Sequence, residues 1–121
     1  MLPINVTESG VLIIRLRADL DIAGRASAAW AIDGYLAAHR SAPVMLELSD
    51  APLSSAAVST ILRTHRMCRS AGAPLAVLAA TAETRRALEA QTGTEGPAVQ
   101  PTRALAATVL SAASPPVATA A

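Results

Sequence analysis

The stretch Pro52-Leu53-Ser54-Ser55-Ala56-Ala57-Val58 decides how this chain is read. Two serines stand directly before an apolar pattern of helical period. Val58, Ile61, Leu62, His65 and Cys68 fall at i, i+3, i+4, i+7 and i+10 and predict one inward helix face. Gly72 supplies a left-handed stop. A serine at a helix start accepts hydrogen bonds from free backbone N–H groups. The same place suits a phosphate, because helix N-termini attract anions. Ser54 and Ser55 therefore have two readings, cap and phosphate acceptor.

Working toward the N-terminus, Ser49-Asp50-Ala51-Pro52 is a loop and Val44 to Leu48 a strand. Ser41-Ala42-Pro43 ends a helix expected from Ala23 to His39. Its stripe is Ala28, Ile32, Leu36 and His39 with Tyr35 beside it, and His39 lies where it can meet the last carbonyls. Trp30 lies off that stripe and is expected to cover an edge. Gly34 weakens this helix by about 1 kcal/mol relative to Ala. Ala18-Asp19-Leu20-Asp21 is a loop with two acids. Asp21 reads either as a helix cap or as part of a partner surface. Val11 to Arg17 is the clearest strand, with Leu12, Ile14 and Leu16 on one face and Arg15 and Arg17 on the other. Ile4 to Thr7 and the turn at Glu8-Ser9-Gly10 complete an opening hairpin.

Toward the C-terminus, Leu75-Ala76-Val77-Leu78-Ala79 is a continuous apolar run, as expected of a parallel strand covered on both faces. Thr81 caps a short helix from Ala82 to Gln91, with Glu83 in its first turn and an i,i+4 pair of Arg85 with Glu89. Thr92 to Gly96 is a loop. Ala98-Val99 is a short last strand. Thr102 caps a final helix with Leu105, Val109 and Leu110 inward. The order β-β-α-β-α-β-α-β-α implies an α/β fold: an opening β-hairpin, then a mostly parallel sheet of four to five strands with about four helices. Residues 1–110 form this one domain, and 111–121, with Pro115-Pro116, form a disordered C-terminal tail.

The 121 residues suffice for a single core without staples. The net charge of +1 provides no field that would draw nucleic acid. All ten basic residues are Arg and Phe is absent, a bias read as genomic coding preference. The single cysteine, Cys68, excludes an internal disulfide. Met1 to Val6 lacks the basic flank and apolar core of a secretory signal, and no run of about 18 apolar residues offers a membrane span. A reducing cytoplasm is the expected address.

Enzymatic motifs are missing. The six glycines are scattered, so there is no phosphate-binding loop. His65 and Cys68 are too few ligands for a structural metal and lie on the inward stripe, so no metal site and no cofactor are expected. No Gly-x-Ser-x-Gly elbow supports a hydrolase. Arg63, Arg66 and Arg69 share a side of the central helix, read as a solvated face or as a contact surface for an acidic partner.

The order of elements and four local stretches resemble the STAS domain, especially the bacterial anti-sigma factor antagonists. Ala18-Asp19-Leu20-Asp21 stands where the family has Gly-Glu-Leu-Asp. Leu46-Glu47-Leu48-Ser49 stands for Leu-Asp-Leu-Ser. Ser54-Ser55-Ala56-Ala57-Val58 stands for Asp-Ser-Ser-Gly-Leu, and Ala71-Gly72 before Ala73-Pro74-Leu75-Ala76-Val77-Leu78 for the helix end and strand that follow. The resemblance covers roughly residues 3 to 110. It implies a binding switch without chemistry of its own. Such a protein engages an anti-sigma factor that is a serine kinase, is phosphorylated by it, and is reset by a PP2C-type phosphatase. Carried over by position, the phosphorylated residue is Ser55, with Ser54 the second choice. The implied partner surface is Asp19, Asp21, Ser54, Ser55, Ala56 and Ala57. Ser54 replaces the family Asp, Ala57 the family Gly, and Ala18 the other Gly. These departures support the alternative of a constitutive, non-phosphorylated STAS adaptor within a multi-protein assembly, for example one for lipid transport.

Overall fold

Branched and leucine-rich segments form a five-stranded sheet in the order β1-β2-β3-β4-β5. The strands are β1 (Ile4–Val6), β2 (Leu12–Leu16), β3 (Val44–Leu48), β4 (Leu75–Leu78) and β5 (Ala98–Gln100). The helices are α1 (Ile22–Ala38), α2 (Ser55–Ala71), α3 (Ala82–Thr92) and α4 (Arg103–Ala113). The computed structural model describes residues 4–7 and 10–113. Of the expected hairpin turn, Glu8 and Ser9 lie outside the described residues, as do 114–121 of the expected tail. The last helix runs on through Ala113, past the expected domain edge at 110.

β1 pairs antiparallel with β2, Val6 opposite Leu12. Gly10, at φ 79°, makes the return possible. The other pairs are parallel: Leu12 aligns with Val44, Val44 with Leu75, and Ala76 with Ala98. Sequential parallel strands joined by crossovers of one hand place the connecting helices on one face. Ala28 and Ile32 of α1, Ile61 and Cys68 of α2 and Leu88 of α3 accordingly share a core with Leu12, Ile14, Leu16, Leu46 and Val77. The alternate strand residues Ile13, Met45, Ala76 and Leu78 turn to the other face. There they meet Ala106 and Leu110 of α4. Burial on both faces is why β4 reads as an unbroken apolar run.

Several expectations are corrected. Trp30 covers no edge; it is 79% exposed on the outside of α1. His39 is exposed, and its backbone N–H, not its ring, closes the helix on Tyr35. Leu105 is 47% exposed, and Ala106 with Leu110 supplies the stripe instead, one residue around the helix. Arg85 does not pair with Glu89; its guanidinium donates to the carbonyls of Ala79 and Ala80, holding the end of β4 to α3. On α2, His65 and Leu62 are half-buried, whereas Thr60 and Thr64 are buried. The two threonines satisfy their hydroxyls on the carbonyls of Ala56 and Thr60, which makes the polar face buriable. Arg66 and Arg69 are exposed, whereas Arg63, partly exposed, makes a two-pronged ion pair with Asp33 of α1, 2.5 and 2.9 Å.

Candidate functional site

In a parallel sheet the strand C-terminal ends feed the helix N-termini, and groups converge there. Here β2 runs into α1 through residues 17–21, and β3 into α2 through residues 49–54. The two loops are stitched together. Ser49 N–H donates to Leu16 O at 3.0 Å, and Ser54 N–H to Ala18 O at 2.8 Å. Ala18 N–H donates to Ser49 Oγ at 2.9 Å. Ser54 Oγ–H donates to Leu20 O at 2.5 Å. Four bonds of this kind leave the acidic loop no independent position.

This stitching separates the two serines. Ser54 is the cap of α2: its Oγ accepts from Ala57 N–H at 3.1 Å while donating to Leu20. It is half-buried, with both hydrogen-bonding functions of its hydroxyl engaged. Ser55 is the first residue of α2 and is exposed. A single depression is lined by Asp19, Leu20, Asp21, Ile22, Ala23, Ser54, Ser55 and Ala56. The structure thus brings Asp19, Asp21, Ser54 and Ser55 to one place. Ala56 touches the depression but is 5% exposed, and Ala57 is fully buried. Ala57 serves the site through its backbone N–H rather than through surface, which corrects the expectation of a contact residue. Its methyl lies in the core where the family motif has no side chain.

Asp21 caps α1, accepting from Gly24 N–H at 2.6 Å. A Cβ at Gly24 would approach Leu20 Cδ1 to 2.9 Å and Asp21 Oδ1 to 3.0 Å. A glycine here lets the acidic loop close on its helix. Asp19 is held by Arg17 through bonds of 3.0 and 3.1 Å. The hydrogen bond from that guanidinium holds the Asp19 carboxyl below the usual carboxylate range, against a smaller effect of burial. The cap and surface readings of Asp21 are compatible, because it is exposed while capping.

A second depression of about 490 Å³ lies across the same loop, with Leu16, Leu20 and Leu48 among its lining residues and Arg15, Arg17 and Glu47 at its polar side. Arg103 of α4 binds Glu47 at 2.8 Å. Among the described residues no three His, Cys, Asp or Glu side chains converge as metal ligands. Burial pushes the Cys68 thiol up to about 11, so it is a packing group and not a nucleophile. Sequence reading missed Ser49, Gly24 and the Leu20 carbonyl. Ser49 stood inside a quoted motif, but nothing local marks a carbonyl acceptor 34 residues away.

The STAS domain family model matches residues 3–104, and the chain belongs to that family. Two solved structures share the fold. TM1081, solved by NMR, superposes with a TM-score of 0.71 at 20% identity, covering 89% of this chain and 86% of that one. The anti-sigma factor antagonist SpoIIAA in its unphosphorylated form superposes at 0.62 with 17% identity, covering 89% and 94%. No curated protein matches this chain. No helix among the described residues is long and apolar enough to cross a membrane.

Proposed function

We propose that this protein is an anti-sigma factor antagonist-like switch that binds a serine-kinase anti-sigma factor and is released by phosphorylation of Ser55. The observation that carries this reading is the division of labour between neighbours. Ser54 has its hydroxyl engaged on Leu20 and Ala57, whereas Ser55 is exposed beside the acidic loop. A phosphate on Ser55 adds about −1.5 to −2 charges. Next to Asp19 and Asp21 it turns the depression strongly anionic, and a partner closing over it would have to desolvate that charge. The α2 N-terminus stabilises the phosphate by about 0.3–1 kcal/mol, so the domain stays folded while its surface changes. The protein's part is recognition. A PP2C-type phosphatase completes the cycle.

Incubation with the cognate kinase and ATP, followed by peptide mass spectrometry, tests this. Phosphate is expected on Ser55 and none on the Ser55→Ala variant. Ser55→Ala keeps partner binding, and Ser55→Glu weakens it at least about tenfold. Phosphate on Ser54, or unchanged binding by Ser55→Glu, sinks the switch.

One feature favours a second reading. Ser54 stands for the family Asp and donates to the Leu20 carbonyl, which a carboxylate cannot do. A loop tied in this way suits a fixed docking surface, that of a constitutive STAS adaptor in a multi-protein assembly. Normal binding with no phosphate acceptor on the chain would select it.

A further inference from the structure

Two depressions meet at the acidic loop. One holds Ser55. The other, of about 490 Å³, lies across the loop, and Leu20 lines both. The floor of the larger hollow is apolar, since Leu16, Leu20, Ala28 and Leu48 are all buried residues. Gly24 in its wall adds no side chain. The volume falls within the roughly 300–1,000 Å³ of small-molecule sites. The place is the carboxyl end of β2 and β3, where open α/β sheets take ligands.

The charges around this hollow do not cancel. Arg15, Arg17 and Glu47 line it. Glu47 is bound by Arg103 at 2.8 Å, and Arg17 holds Asp19 at 3.0 Å. Asp21, the next acid, is matched by Arg25 four residues along α1. Arg15 is left with a 3.9 Å approach to the already engaged Glu47. One positive charge is therefore surplus. The exposed Ser27 hydroxyl, also in the lining, bonds to no other described residue.

We propose that this hollow binds a small aliphatic monocarboxylate, with its chain on the leucines and its carboxylate on Arg15. A single negative charge matches the surplus. A phosphate monoester would bring about two and meet the Glu47 carboxylate. The apolar floor selects for a chain, because each fully buried methylene raises affinity roughly fourfold. Occupancy also reaches the neighbouring depression. Leu20 packs so close to α1 that a Cβ at Gly24 would come within 2.9 Å of its Cδ1. A chain seated against Leu20 therefore steadies the acidic loop. The Leu20 carbonyl accepts from Ser54 Oγ, so one residue links the ligand to the start of α2.

Amide NMR titration of the full chain with octanoate, 1-octanol and acetate tests this. Octanoate should shift the amides of Leu16, Leu20 and Gly24 saturably, and that of Ser54 through Leu20. Octanol, with the chain but no charge, should bind at least about fivefold more weakly. Acetate, with the charge but no chain, should not bind up to about 5 mM. Arg15→Gln should erase the preference for octanoate over octanol. Ser27→Trp, an exposed position on α1, should fill the mouth and weaken both ligands at least about tenfold. Circular dichroism checks that each variant is folded; if either is not, the octanoate–octanol comparison on the wild-type chain decides. Absence of a saturable octanoate shift overturns the proposal. So do equal binding of octanol, shifts that miss Leu20 and Ser54, a preference that survives Arg15→Gln, or binding unchanged in Ser27→Trp. None of these readings uses Ser55 or a kinase, so this proposal and the phosphorylation switch fail separately.

Discussion

Helices α1 and α2 have equal length, 17 residues, and lie side by side on the same face of the sheet. They are built to different ends. α2 buries Ala56, Ala57, Val58, Thr60, Ile61, Thr64 and Cys68, whereas α1 buries only Ala28 and Ile32. α2 is closed at its start by Ser54 and at its end by Gly72 at φ 70°. α1 has the Asp21 cap but ends at His39 with φ −126°, without a left-handed glycine. The core therefore holds α2 along its length, and its first turn presents Ser55 from a fixed base. α1 is attached by half its surface and keeps an apolar face outside. The Arg63–Asp33 pair is a polar link between them. The lesson is that a helix can be placed by the core to display one residue, or kept partly free to display a face.

The sharpest way to break this contrast is to truncate one large residue on each helix. Ile61→Ala, at a fully buried position, is expected to cost about 2–5 kcal/mol of unfolding free energy, read by chemical denaturation. Trp30→Ala, despite removing more volume, should change stability by no more than about 0.5 kcal/mol. A large loss from Trp30→Ala would show that the outer face of α1 is already covered.

The adjacent serines give the next largest difference. Ser54→Ala should cost about 1–2 kcal/mol, through the cap and the orphaned Leu20 carbonyl. Ser55→Ala should lie within about 0.5 kcal/mol of wild type. Ser54→Asp restores the family residue yet should also destabilise, because its carboxylate keeps the cap but meets the Leu20 carbonyl acceptor to acceptor. Chemical denaturation of the three variants ranks them. At the far end of α2, Gly72→Ala should cost about 1 kcal/mol, since a Cβ is disfavoured in the left-handed region. The C-terminus of α1 has no equivalent position.

The smallest effects are those of pH. The Arg63 hydrogen bond lowers the Asp33 carboxyl from 3.8. Its contribution is present above that value and is lost as pH falls through the lowered one. Both side chains are about two-fifths exposed, so the contribution is under about 1 kcal/mol. Burial, then the charge of Arg69, lowers His65 from 6.5. Its contribution has the same sign, present above 6.5 and declining as pH drops. Unfolding midpoints at pH 7, 5.5 and 3 should fall stepwise. Asp33→Asn should flatten the lower step and His65→Gln the upper one.

Much of the fold was legible locally. The strand at Leu12–Leu16, the apolar run at Leu75–Leu78, the caps Ser54 and Thr81 and the stop at Gly72 are each written within a few residues. The misread positions were set by what lies outside the helix that carries them. Leu105 and Ala106 differ by one step around a helix, and only the shape of the α4 face chooses between them. Arg85 had a plausible helical mate in Glu89, yet the unpaired carbonyls at the end of β4 were better acceptors. Trp30 lies off the inward stripe, which is compatible with covering an edge, but it stands exposed on the outside of α1. The candidate site was legible as a set of residues, since Asp19, Asp21, Ser54 and Ser55 do share one depression.

Short-range periodicity and capping chemistry were enough to establish the order of elements and the serine pair at a helix start, because those rules act over one or two helical turns. They could not say which serine is tied down. That depends on the carbonyls of Ala18 and Leu20, brought to α2 only when β2 and β3 lie side by side in the sheet. Hydrogen bonds between segments some 34 residues apart leave no trace in local pattern, and they are what distinguish a capping hydroxyl from an exposed one.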